Sequence, residues 1–86
     1  MPKPSELKEG QWIKIAANTD HKGFTIEQTG AIGFHVEYSQ LSCFAINHDQ
    51  PADHAGLGLE ITNDPATADA IYEQWRGKET VIITHG

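Results

Sequence analysis

The sequence predicts an all-β domain: a small antiparallel β-sandwich or barrel of six to seven strands, with one short helix near 65–75 as the alternative to a strand there. Three observations lead to it. Ile32, Phe34, Val36 and Tyr38 alternate with Gly33, His35, Glu37 and Ser39, which puts four large apolar groups on one side of a strand and polar or small groups on the other. Thr80-Val81-Ile82-Ile83-Thr84 is β-branched throughout, the composition that fits a pleated surface. Turn signals recur about every eight to twelve residues, the spacing of sandwiches and small barrels.

The segments follow in order. Residues 1–10 carry Pro2, Pro4, charged groups and Gly10 and read as an N-terminal arm, in which Ser5 to Glu9 is long enough for one helical turn that needs docking to persist. An undocked arm is a disordered tail; a docked one is a natural contact with a neighbouring subunit. The single β domain then spans 11–86. Gln11 to Ala17 is its first strand, with Ile13, Ile15 and Ala17 on one face and Trp12, Lys14 and Ala16 on the other. Asn18 to Gly23 is a polar turn. Phe24 to Ser39 reads as a hairpin with one buried and one wet face, broken at Thr29-Gly30. Gln40-Leu41-Ser42 is a link, and Cys43 to Asn47 a short strand. His48 to Gly56, punctuated by Pro51 and Gly56, is the longest evident loop, the kind that sits on a surface and carries function. Leu57, Leu59 and Ile61 then share a face that packs, in a two-sheet arrangement, against the Ile32/Phe34/Val36/Tyr38 face.

Asn63 to Trp75 supports two readings. As a helix, Asp64 caps it, Pro65 takes the favoured first position, Ala68, Ile71, Tyr72 and Trp75 share a face, and Gly77 ends it. As turn plus strand, Ala70 to Arg76 pairs with Glu79 to Thr84 across Gly77-Lys78.

Composition narrows the function classes. The 86 residues make one domain, which buries roughly 60–65% of its unfolded surface and has little room for a deep pocket. The net charge is -6, and the basic residues Lys3, Lys8, Lys14, Lys22, Arg76 and Lys78 are scattered. That disfavours a nucleic-acid partner, which needs clustered cations to replace counterions, and an anionic membrane for the same reason. Cys43 is the single cysteine, so no internal disulfide forms, and its apolar setting predicts a buried, inert thiol. No signal-peptide pattern follows Met1-Pro2-Lys3-Pro4, and no apolar run approaches the ~20 residues of a membrane span. The expected place of synthesis is a reducing cytoplasm.

The order of features resembles that of small β-sandwich virion proteins of tailed bacteriophages, which decorate heads or sit on tail and fibre assemblies. The similar elements are Trp12-Ile13-Lys14-Ile15, Phe24-Thr25-Ile26-Glu27-Gln28, Val36-Glu37-Tyr38-Ser39, the Pro/Asp/His loop into Gly56-Leu57-Gly58-Leu59, and Trp75-Arg76-Gly77 before a Val/Ile/Thr strand. They cover most of residues 11–86. Ala66 to Ala70 departs from the pattern, which is continuous β there, and the resemblance tips the 65–75 reading toward a strand. It implies a non-enzymatic structural or docking role in a virion, with capsid or tail proteins as partners and a symmetric homo-oligomer held by apolar burial and strand-edge pairing. It fixes no individual binding residue.

Chemistry is sparse. His48, Asp49, Asp53 and His54 are the candidate metal ligands, but their spacing matches no zinc or EF-hand pattern; polar loop composition explains them equally well, and no metal or other cofactor is expected. His35 and Glu37 sit two apart on a strand and can face one another as acid and base, without a nucleophile or oxyanion donor in view; a solvated strand face accounts for them. With no Gly-x-Ser-x-Gly elbow and no phosphate-cradling loop, an enzyme is not expected. Trp12, Tyr38, Tyr72 and Trp75 offer an aromatic platform for sugars or, more simply, core packing. The alternatives to the virion reading are therefore a small acidic inhibitor or adaptor that binds a host protein, suggested by the charge, and a carbohydrate-binding module.

Overall fold

In the computed structural model the described residues are 3–17, 30–47, 59–76 and 80–85. They form five strands and one helix: β1 (Trp12–Ala17), β2 (Gly30–Glu37), β3 (Gln40–Asn47), β4 (Leu59–Thr62), α1 (Pro65–Arg76) and β5 (Thr80–His85). The strands make one antiparallel sheet in the order β4-β3-β2-β1-β5, open rather than closed. The domain is thus mostly antiparallel sheet, consistent with the all-β expectation, with five strands among the described residues. The Phe24 to Gln28 strand and Leu57 lie outside them.

Registers assign the faces. Ile13 stands opposite Phe34 and Ile15 opposite Ile32, while Phe34 stands opposite Cys43 and Val36 opposite Leu41. These side chains share one face, and Ala68 and Tyr72 of α1 complete their core. Phe34, Ile13, Ile15 and Cys43 are fully buried, each of the large ones contributing about 2–3 kcal/mol relative to exposure. The Phe34 and Tyr72 rings meet edge to face, centroids 6.0 Å apart. Leu7, Ile71, Trp75 and Ile82 close the margins.

The 65–75 ambiguity resolves as a helix, correcting the lean toward a strand. The Asp64 carboxylate accepts from the Thr67 N–H (3.0 Å) and hydroxyl (2.7 Å), with Pro65 at the first position, where its missing N–H costs nothing. Those bonds hold the Asp64 carboxyl below its ordinary range. A 12-residue helix is marginal alone; burial of Ala68 and Tyr72 supplies the rest. The strand that would have paired with Ala70 to Arg76 pairs instead with β1, Ile15 opposite Ile82. The expected packing of Ile32/Phe34/Val36/Tyr38 against Leu59 and Ile61 is corrected too. The helix covers that face, and β4 is bonded within the same sheet, with a bulge between Cys43 and Phe44 that leaves Ile61 46% exposed.

Gln40-Leu41-Ser42 is not a link but the start of β3, so β2 forms a hairpin with β3. The N-terminal arm is ordered over residues 3–10. Pro4–Glu6 makes a single 3-10 turn with Pro4 buried, and Ser5 docks on the chain's own helix: its N–H and hydroxyl donate to Asp69 Oδ1 (3.0 Å) and Oδ2 (2.6 Å). The opposite sheet face is buried as well, with Ala16, Ala31 and Phe44 packed beside Trp12. Lys14 and His35 on that face are 7% and 5% exposed. Among the described residues no helix is long and apolar enough to cross a membrane.

Candidate functional site

The feature that packing explains least is the β2–β3 turn. Glu37 and Gln40 are the last pair of the ladder, leaving Tyr38 and Ser39 to reverse the chain in two residues. Such a turn matches the twist of the strands when both residues have positive φ, a conformation that favours Asn and Gly. Here φ is +55° at Tyr38 and +61° at Ser39, each costing about 1–2 kcal/mol for an ordinary L residue. Tyr38 does not join the buried face that its parity predicts. The turn lifts it out of register, and it is 88% exposed, the most exposed large hydrophobic side chain among those described.

A distant residue braces this turn. The Glu9 carboxylate accepts from both N–H groups, Tyr38 to Oε2 at 2.7 Å and Ser39 to Oε1 at 2.8 Å, a charge-assisted pair. Glu9 is aimed by the bulge that follows it. The Gly10 N–H donates to Val36 O (2.9 Å) and the Val36 N–H to Gln11 O (3.2 Å), so two residues oppose one. Gly10 has φ +82°, which glycine adopts without penalty. The Lys8 N–H donates to Gln11 Oε1 (2.8 Å), and the arm continues to Ser5 on α1. The tip is therefore an exposed phenol on a backbone held by the Glu9 carboxylate, while the neighbouring Glu37 carboxylate lies toward His35. This arrangement presents a side chain for binding.

The other sequence candidates fall in different places. His35 and Glu37 do face one another, Nε2 to Oε2 3.5 Å, but the strand face is not solvated at His35, which packs edge to face with Phe44 at 6.4 Å. The four aromatics do not share a surface: Tyr72 and Trp75 of α1 pack into the core, Trp12 lies on the opposite sheet face, and Tyr38 at the tip. Cys43 is buried, and burial pushes its thiol up to about 12. His48, Asp49, Asp53 and His54 lie outside the described residues, and among the described residues no three His, Cys, Asp or Glu side chains gather as metal ligands. The chain matches no protein-family model, and no curated protein or solved structure is significantly similar to it.

Sequence reasoning missed Glu9 and the exposure of Tyr38. Tyr-Ser lacks the Asn-Gly signature of a two-residue turn, and nothing local ties Glu9 to a turn 29 residues on.

Proposed function

We propose that this chain is a non-enzymatic docking module that presents Tyr38 to a protein partner, and that it serves as an accessory protein of a tailed-phage virion, decorating a head or tail. The observation that carries the docking reading is an 88% exposed tyrosine held at positive φ where asparagine or glycine would be more stable. Strain retained at an exposed, braced position is the mark of a residue kept for contact rather than for folding. Tyrosine suits such a contact, being large and amphipathic and losing few rotamers on binding. With Glu9 and Glu37 exposed nearby, the complementary pocket is one that takes a phenol and has Lys or Arg at its rim.

The virion assignment rests on the resemblance of most of residues 11–86, Ala66 to Ala70 excepted, to small phage β-sandwich proteins, with synthesis in the host cytoplasm and capsid or tail proteins as partners. The two-sheet sandwich belongs to the same proposal. The sheet face away from α1 carries Ala16, Ala31 and Phe44 beside Lys14 and His35, all buried, as they would be beneath a second layer. Sedimentation with particles induced from the strain that carries the gene tests the reading. Wild type is expected to pellet at a fixed ratio to particles, with Tyr38→Ala folded by circular dichroism but left in the supernatant. Wild type absent from the particles overturns the virion assignment, and Tyr38→Ala pelleting as wild type removes the tip as the contact.

A further inference from the structure

The two edges of the sheet are built differently. β4 has four residues, includes Glu60 and is itself bulged at Ile61, features that discourage pairing with another chain. β5 is Thr80-Val81-Ile82-Ile83-Thr84-His85, with no Pro, Gly, Lys, Asp or Glu, and among the described residues it pairs with β1 alone. In a chain of net charge -6 an acid-free strand is where two copies can approach without placing carboxylates against each other.

The hydrogen-bond phase shows which backbone groups β5 turns outward. Val36 donates to Gln11, so odd-numbered β1 residues face β2, and Trp12, Lys14 and Ala16 face β5. Antiparallel ladders alternate in this way. The partners of those three, His85, Ile83 and Val81, spend their N–H and C=O groups on β1. The groups of Ile82 and Thr84 point off the sheet. Ile83, between them, is 44% exposed, and its side chain lies on the face opposite α1.

We propose that β5 pairs with β5 of a second copy, antiparallel about a two-fold axis at Ile83, joining two sheets into one of ten described strands. In that register Ile82 exchanges both backbone bonds with the partner's Thr84, and Thr84 with the partner's Ile82. Ile83 meets its own copy in a non-hydrogen-bonded pair, where side chains approach most closely. The interface is isologous and closes at two copies. It deepens the assembly part of the docking reading without using Tyr38.

Light scattering across a concentration series is the first test, with a doubling of the 9.5 kDa chain mass expected. Thr84→Pro removes an outward N–H without touching the β1 ladder, and Ile83→Lys sets two cations together at the axis; each is expected to restore the monomer. The register has its own readout. Oxidised Ile83→Cys is expected to give a disulfide-linked dimer, because paired positions across such an axis bring Cα atoms within disulfide reach, whereas Thr84→Cys is not. A wild-type monomer at every concentration, or a dimer that survives both Thr84→Pro and Ile83→Lys, overturns the pairing. A monomer that still pellets with particles through Tyr38 overturns it while leaving the docking reading standing.

Discussion

Replacing Tyr38-Ser39 by Asn-Gly is expected to make the protein more stable and less able to dock. Both residues lie in the left-handed region, at φ +55° and +61°, where each L side chain costs about 1–2 kcal/mol. Glycine removes the penalty at Ser39 but returns about 0.5–1 kcal/mol through the freedom it gives the unfolded chain. Asparagine tolerates the region and recovers part of the penalty at Tyr38. Since Tyr38 is 88% exposed, little packing is lost, and the Glu9 bonds survive because they come from backbone N–H groups. The net gain is about 1 kcal/mol, or about 4–8 °C in Tm for a domain of this size. Urea unfolding followed by circular dichroism and tryptophan fluorescence should show a higher midpoint with an unchanged slope. A midpoint equal to or below wild type would refute the claim that the turn is strained, and with it the argument that Tyr38 is kept for contact. A gain in stability with loss of particle binding is the trade between folding and function expected at such a site.

Two further outcomes follow from the core and the arm. Cys43 should react with a thiol reagent only as fast as the protein unfolds, since it is fully buried; a native rate matching that in urea would refute this. Its folded pKa of about 12 lies above the ordinary value of 9.0, so between those limits the unfolded state binds fewer protons and stability falls as pH rises. The contribution is fully present below the ordinary value, and Cys43→Ala should lack that slope; equal slopes would count against burial as the cause. Asp69→Ala removes both acceptors of Ser5 and should release the arm at a cost of about 0.5–1.5 kcal/mol. Amide exchange should rise at the Ser5 and Glu6 N–H groups while β1 to β3 stay protected, and unchanged protection of the arm would show that Pro4 and Leu7 alone hold it.

What the sequence makes legible here is local. Asp64-Pro65 and the Ala68/Ile71/Tyr72/Trp75 spacing contain the helix, and the lean toward a strand comes from the resemblance rather than from those residues. Period-two alternation sorts Ile32, Phe34 and Val36 from His35 correctly, but parity says which face a residue lies on and not what covers it. A helix covers the first set in place of the expected second sheet, and His35 is buried rather than solvated. Tyr38 follows the alternation on paper and escapes it in space, because the chain turns one residue earlier than the pattern suggests. The brace that permits this turn comes from Glu9, through contacts that no short window of sequence contains.

The path of α1 has a consequence for how this fold tolerates changes in length. β4 and β5 run in the same direction at opposite margins of the sheet, so the chain between them must cross four strand spacings, about 19 Å, while also climbing back along the strands. Twelve helical residues cover about 18 Å, so the helix supplies nearly all of that lateral distance. The helix therefore acts as a ruler for the sheet. Losing one turn would pull an edge strand from its place, and a strand inserted between the margins would overrun the span. Growth by insertion is confined to the connections that return to an adjacent strand; the sheet itself can widen only beyond its margins.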